Sequence, residues 1–148
     1  MSLSPSELRL VRVALAQLAL SALLVGVLAS FAPRTFYDSF PFLTHWVDLL
    51  PPYNAHLTTD VGGLQLAFGA LFAYGAARPS RGLVTPVCAA WALSQSLHLV
   101  FHVTHLERFG LADAIAQIVT LVAVALVLPA IPLVVLRRAD ARSGNAPR

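Results

Sequence analysis

Lysine is absent from this chain: all ten basic side chains are arginine, and charged residues make up only 11% of the 148, against 57% hydrophobic. Soluble domains carry about a quarter charged residues, so a shortage this deep excludes an ordinary water-soluble core. The class it leaves is an integral membrane protein. Cysteine is limited to Cys88, which excludes an internal disulfide and any CxxC redox or metal motif; set in an apolar run, it reads as a small packing residue. There is no phosphate-cradling glycine loop and no arginine face interleaved with exposed aromatics, so the formal charge of +3 does not imply a nucleic-acid partner. No soluble stretch is long enough to bury a second core, and one domain is the natural count.

What is present is a set of four apolar runs, 11–32, 59–77, 84–104 and 113–136, each near the ~20 residues that cross a hydrocarbon core as helix. They predict an all-α, antiparallel four-helix bundle over residues 1–136 in the cytoplasmic (inner) membrane, with the lipid bilayer as its main partner. The first run also resembles a signal peptide, with Arg9 and Arg12 ahead of it, but its apolar stretch exceeds the ~7–15 residues of a signal's hydrophobic region. Arg9, Arg12, Arg78, Arg81, Arg137, Arg138, Arg142 and Arg148 would share one side of four spans, leaving Arg34 and Arg108 on the other. By the positive-inside rule both termini are then cytoplasmic. Residues 137–148, "RADARSGNAPR" with its preceding arginine, are too polar to pack and are expected to be a disordered tail.

The outer loop 33–58 mixes aromatic and aliphatic residues with prolines. A short interfacial helix from Phe42 to Leu50 would place Leu43, Trp46, Val47 and Leu50 on one face. Its aromatics fit either a belt at the membrane surface or a lid over a site, and the belt is the commoner use. Gly69, Ala73 and Ala77, four residues apart, are a small-residue face for close helix approach, to a membrane protein partner or in a homo-oligomer. Pro129 and Pro132 should kink the fourth span and free backbone carbonyls.

Chemistry concentrates on the outer side. In "SQSLHLVFHVTHLERF", Gln95, His98, His102 and His105 fall at i, i+3, i+7 and i+10, one face of a helix. His98 and His102 are near enough for both imidazoles to reach one ion. His56 and Asp60 open the second span, and Asp113 and Gln117 lie one turn apart at the start of the fourth. If the three helix ends converge, His56, Asp60, His98 and His102 would form a metal site, with His105 and Asp113 as further candidates and Gln95 and Gln117 behind them. Imidazole and carboxylate donors suit Zn, Fe or Cu. Haem b with two facing histidines is a weaker alternative because His56 is peripheral. The spacing of the zincin proteases is present, but Leu99 stands where their general base would be. Proton exchange between histidine and aspartate is open as well, although Gln17, Ser21, Gln65 and Tyr74 are a thin polar continuation across the rest of the membrane. The same residues can also act only as hydrogen-bonding glue between helices.

With "YNAHLTTDVGG" opening the second span and "HLVFHVTH" closing the third, the layout resembles small four-span bacterial membrane proteins of uncharacterised function and, more loosely, the DoxX-like families. The resemblance implies a compact four-helix membrane bundle with some association with redox partners. It supplies no catalytic residues.

Overall fold

The computed structural model describes residues 3–42, 44–50 and 52–144. Among them every regular element is helical and no strand occurs. Helix α1 spans Pro5–Phe31, α2 Pro33–Ser39, α3 Ala55–Ala77 and α4 Arg81–Val103; a 3-10 turn at Leu106–Arg108 leads to α5, Leu111–Val122. A π-helical stretch, Ala123–Val127, joins α5 to α6, Leu128–Gly144, without a break in the helical run.

The helices start earlier than the apolar runs because caps, and not hydropathy, decide where a helix begins. Ser4 and Glu7 form a reciprocal capping box ahead of Pro5, with Ser4 N–H donating to Glu7 Oε2 at 2.9 Å. Asn54 caps α3, its side-chain oxygen accepting from Leu57 N at 3.1 Å. At the other end of the chain, α6 continues through Gly144, so the expected disordered tail is helical as far as it is described. The Arg142 guanidinium pairs with Glu7 at 2.7 Å, and Ala139 is buried. These contacts give the polar sequence the tertiary support that composition alone does not reveal; residues 145–148, with Arg148, lie outside the described residues.

Three of these runs are long and apolar enough to cross a membrane: Pro5–Phe31, Arg81–Val103 and Leu111–Ser143. Helix α3, the expected second span, is not among them. Its 23 residues suffice in length, but Thr58, Thr59, Asp60, Gln65 and four glycines dilute its apolar content. The glycines have a reason. Helix α1 buries Val11, Leu15, Leu18, Ala22, Gly26 and Ala29 along one stripe, and α3 lies against that stripe as its main neighbour. A Cβ on Gly62 would meet Ser30 N at 2.6 Å, and one on Gly26 would meet Leu66 N at 2.8 Å. The two backbones touch where side chains would otherwise separate them. Gly69 is closed against Leu23 of α1 in the same way, whereas Ala73 and Ala77 are exposed. The anticipated face of Gly69, Ala73 and Ala77 is therefore not one surface: its glycine serves packing within the chain.

At one end of the molecule, Arg81 at the start of α4 pairs with Asp140 of α6 and donates to Leu136 O at 3.3 Å. With the Arg142–Glu7 pair, this gathers the start of α1, the start of α4 and the end of α6. Between the ends, Trp91 meets Phe68 and Phe72 edge-on at 5.3 Å each. Pro129 has no N–H, so in the π register, where residue i bonds to i−5, the carbonyl of Val124 is left over. Trp91 Nε1 donates to that carbonyl at 2.9 Å. The expectation that the prolines free backbone carbonyls thus holds in a specific form: both prolines are buried, and the freed group is spent on the core tryptophan.

Candidate functional site

Opposite the arginine-rich end, α4 delivers the histidines. Gln95 and His102, seven residues apart and both 8% exposed, face inward, with His98 between them along the wall. The His98 and His102 rings meet edge-on with centroids 4.6 Å apart. From α5, the wholly buried Gln117 accepts at Oε1 from His102 Nδ1 at 2.7 Å. Its amide nitrogen has no partner within the protein, and neither has the buried Oε1 of Gln65 on α3. A buried amide group left unpaired costs about 1–3 kcal/mol, so two of them beside one space are a feature to be explained.

That space is a cavity of about 520 Å³. Its polar lining comes from Gln65, Gln95, His98, His102 and Gln117, with Ser94 and Thr120; its apolar walls come from Leu24, Val25, Leu64, Phe68, Trp91 and Leu121. The volume lies within the ~300–1,000 Å³ of small-molecule sites, and so does the design of apolar walls with few polar groups.

The cavity is covered by the segment after α1. The predicted helix over Phe42–Leu50 does not form: the described residues there are in turns, Leu43 lies outside the described residues, and the helix of this segment is instead α2, begun by Pro33. Phe36, Phe40, Trp46, Val47 and Leu50 turn back onto the cavity. Trp46 Nε1 donates to Asp113 Oδ1 at 3.0 Å, fastening the cover to the first turn of α5. His45 sits at φ 53°, a left-handed conformation uncommon outside glycine, and its Nδ1–H donates to Asp38 O at 2.7 Å. The Arg34 guanidinium pairs with Asp38 at 2.7 Å and lies 5.0 Å over the Tyr53 ring. The carboxylate beside it raises the Arg34 pKa above its ordinary value. Part of the segment thus lines an internal surface, the less common use of such aromatics, while Phe42 and Leu49 stay exposed.

The structure divides the predicted metal set. His98, His102, Gln95 and Gln117 come together. His56 and Asp60 pair with each other at 3.3 Å on an exposed turn of α3 and do not line the cavity. His105 leaves the seam because α4 ends at Val103, where Thr104 Oγ1 bonds back to Val100 O; its ring stacks on Phe101 at 4.2 Å. Asp113 is engaged by Trp46. Among the described residues no group of three or more His, Cys, Asp or Glu is placed to hold a metal ion. Helical spacing found the His98–His102 face and Gln117, but it set Ser21 and Gln65 apart as inner residues, whereas both line the cavity. Their signal was polarity inside otherwise apolar helices.

Fold and site together define, among the described residues, an all-helical protein with three helices long and apolar enough to cross a membrane and a mostly apolar cavity lined by a few polar side chains. No family model, curated protein or solved structure matches the chain.

Proposed function

We propose that this chain is a four-span protein of the cytoplasmic membrane, its helices antiparallel and both termini cytoplasmic, that binds a small amphiphile in an outward-facing cavity. Two observations support the membrane frame. Seven arginines, Arg9, Arg12, Arg78, Arg81, Arg137, Arg138 and Arg142, belong to the end held by the Arg81–Asp140 and Arg142–Glu7 pairs, against Arg34 and Arg108 at the other. Helix α3, ~35 Å long at 1.5 Å per residue, exposes Leu57 and Leu71 away from the cavity, apolar side chains that lipid would cover.

The binding reading is carried by one observation: Gln117, 1% exposed, borders the cavity with its amide nitrogen unpartnered. A ligand's polar group offsets that deficit and its apolar body fills the remaining volume. His98 and His102 keep the role of outward polar site that their spacing suggested, as hydrogen-bonding groups. Two imidazoles among carboxamides supply only two good donors, short of the three or four protein ligands of a typical transition-metal site.

The test is to purify the protein in mild detergent and quantify co-purifying small molecules by mass spectrometry, beside Leu121→Trp, which fills the cavity. An amphiphile held stoichiometrically by the wild type and lost from the variant is expected. Equal recovery from both places any bound molecule outside the cavity and removes the reading. Phosphatase fusions test the frame: a fusion within 33–58 should be active and one after Gly144 inactive.

A further inference from the structure

The polar lining of the cavity has a chemical bias that narrows its occupant, given the binding reading above. Among the described residues its lining includes no arginine, aspartate or glutamate, and the chain has no lysine. The groups that meet a head group are carboxamides, hydroxyls and the imidazoles of His98 and His102. A phosphate, carboxylate or quaternary ammonium drawn into such a space would lose its water without gaining a fixed counter-charge, which is strongly unfavourable. What the site lacks is hydrogen-bond partners, one on the amide nitrogen of Gln117 and one on the amide oxygen of Gln65.

We infer that the occupant is an electrically neutral, membrane-soluble amphiphile whose head carries a hydroxyl or carbonyl group, held by the carboxamides of Gln65 and Gln117. Gln117 brings an unpartnered donor and Gln65 an unpartnered acceptor to the lining of one cavity, the two complements of a hydroxyl. The His102–Gln117 pair broadens the match. Turning the Gln117 carboxamide over exchanges its oxygen and nitrogen, and His102 accommodates the change by moving its proton to the other ring nitrogen. The pair then presents an acceptor in place of a donor. Both a carbonyl and a hydroxyl head are accepted by the same side chains, while a full charge is not. The aromatic walls and the cover fit an apolar body, and lipid contact around the helices provides an entry path that never requires the ligand to be water-soluble.

Trp46 and Trp91 are the only tryptophans in the chain, and both line the cavity, so contact quenching by bromine reports occupancy directly. The protein in lipid nanodiscs is titrated at neutral pH with four probes that share a terminally brominated eleven-carbon chain. Their heads are a primary alcohol, a methyl ketone, a carboxylate and a trimethylammonium, and each is scaled by its measured partition into protein-free nanodiscs. The alcohol and the ketone are expected to quench saturably, with half-saturation at least about tenfold below either charged probe. Gln117→Leu and Gln65→Leu, each checked for helix content, should weaken the neutral probes about fivefold or more and leave the charged ones unchanged. A charged probe binding as tightly as the neutral ones overturns the neutral-head inference and leaves the cavity reading standing. Neutral binding indifferent to both substitutions overturns the assignment to the carboxamides. Linear, unsaturable quenching by all four overturns the cavity reading itself, and this inference with it.

Discussion

Gly62 and Gly63 are adjacent in α3 and should respond to alanine with opposite signs. A Cβ on Gly62 would sit 2.5 Å from Ser30 Oγ, 2.6 Å from Ser30 N and 2.9 Å from Ala29 C, whereas one on Gly63 has nothing within 4 Å. The hydroxyl can rotate away; the backbone atoms cannot. Raising 2.6 Å to the 3.4 Å at which ordinary contact begins parts α1 and α3 locally by about 0.8 Å, a gap that forfeits roughly a quarter to a half of the dispersion energy of neighbouring contacts. Overpacking of this kind costs about 1–3 kcal/mol, and the contact with rigid backbone puts Gly62 near ~3. Replacing a helical glycine by alanine returns ~1 kcal/mol in either position. Gly62→Ala should therefore destabilise by ~2 kcal/mol and Gly63→Ala stabilise by ~0.5–1 kcal/mol. Reversible unfolding in mixed micelles, followed by circular dichroism as the denaturing detergent fraction rises, measures both. If Gly62→Ala proves as stable as Gly63→Ala, the helices do not meet through their backbones and the account of α3's glycines is wrong.

Three other perturbations probe different parts of the molecule. Trp91→Phe should cost ~1–3 kcal/mol in the same assay, because the Val124 carbonyl freed by Pro129 loses its donor; Pro129→Ala, which restores an N–H, should recover part of that loss in the double variant and none if the carbonyl plays no role. Gln65→Leu removes a buried, unpartnered oxygen and should raise stability by ~1 kcal/mol while weakening neutral probes, a trade expected of a binding residue; a loss of stability would mean that the oxygen is already satisfied. Trp46→Phe deletes the bond to Asp113 and should speed both proteolysis within 33–53 and probe release several-fold, with unfolding little changed; unaltered cleavage would show that this bond does not hold the cover.

The helical face of His98 and His102 was legible because a period of 3.6 is written into a single segment, and so was Gln117 as a polar residue one turn into an apolar run. The proposed convergence with His56 and Asp60 was not legible, since no local rule states how far along its neighbour a helix is set. The glycine contacts between α1 and α3 settle that register, and they leave the first turn of α3 exposed, where His56 and Asp60 satisfy each other. His105 was misplaced for a smaller reason: the helix ends two residues earlier, at Val103.

By itself the sequence determined the helical, lipid-compatible character of the chain, the asymmetry of its arginines and the polar face of α4, all of which follow from composition and periodicity within one segment. Only the tertiary structure decided that Pro129 serves Trp91, that Phe36, Phe40, Trp46, Val47 and Leu50 line a cavity, and that Gln65 and Gln117, 52 positions apart, line the same one. Those outcomes depend on contacts between segments, where packing distances of a few tenths of an ångström select one arrangement among several that the pattern of apolar residues allows equally well.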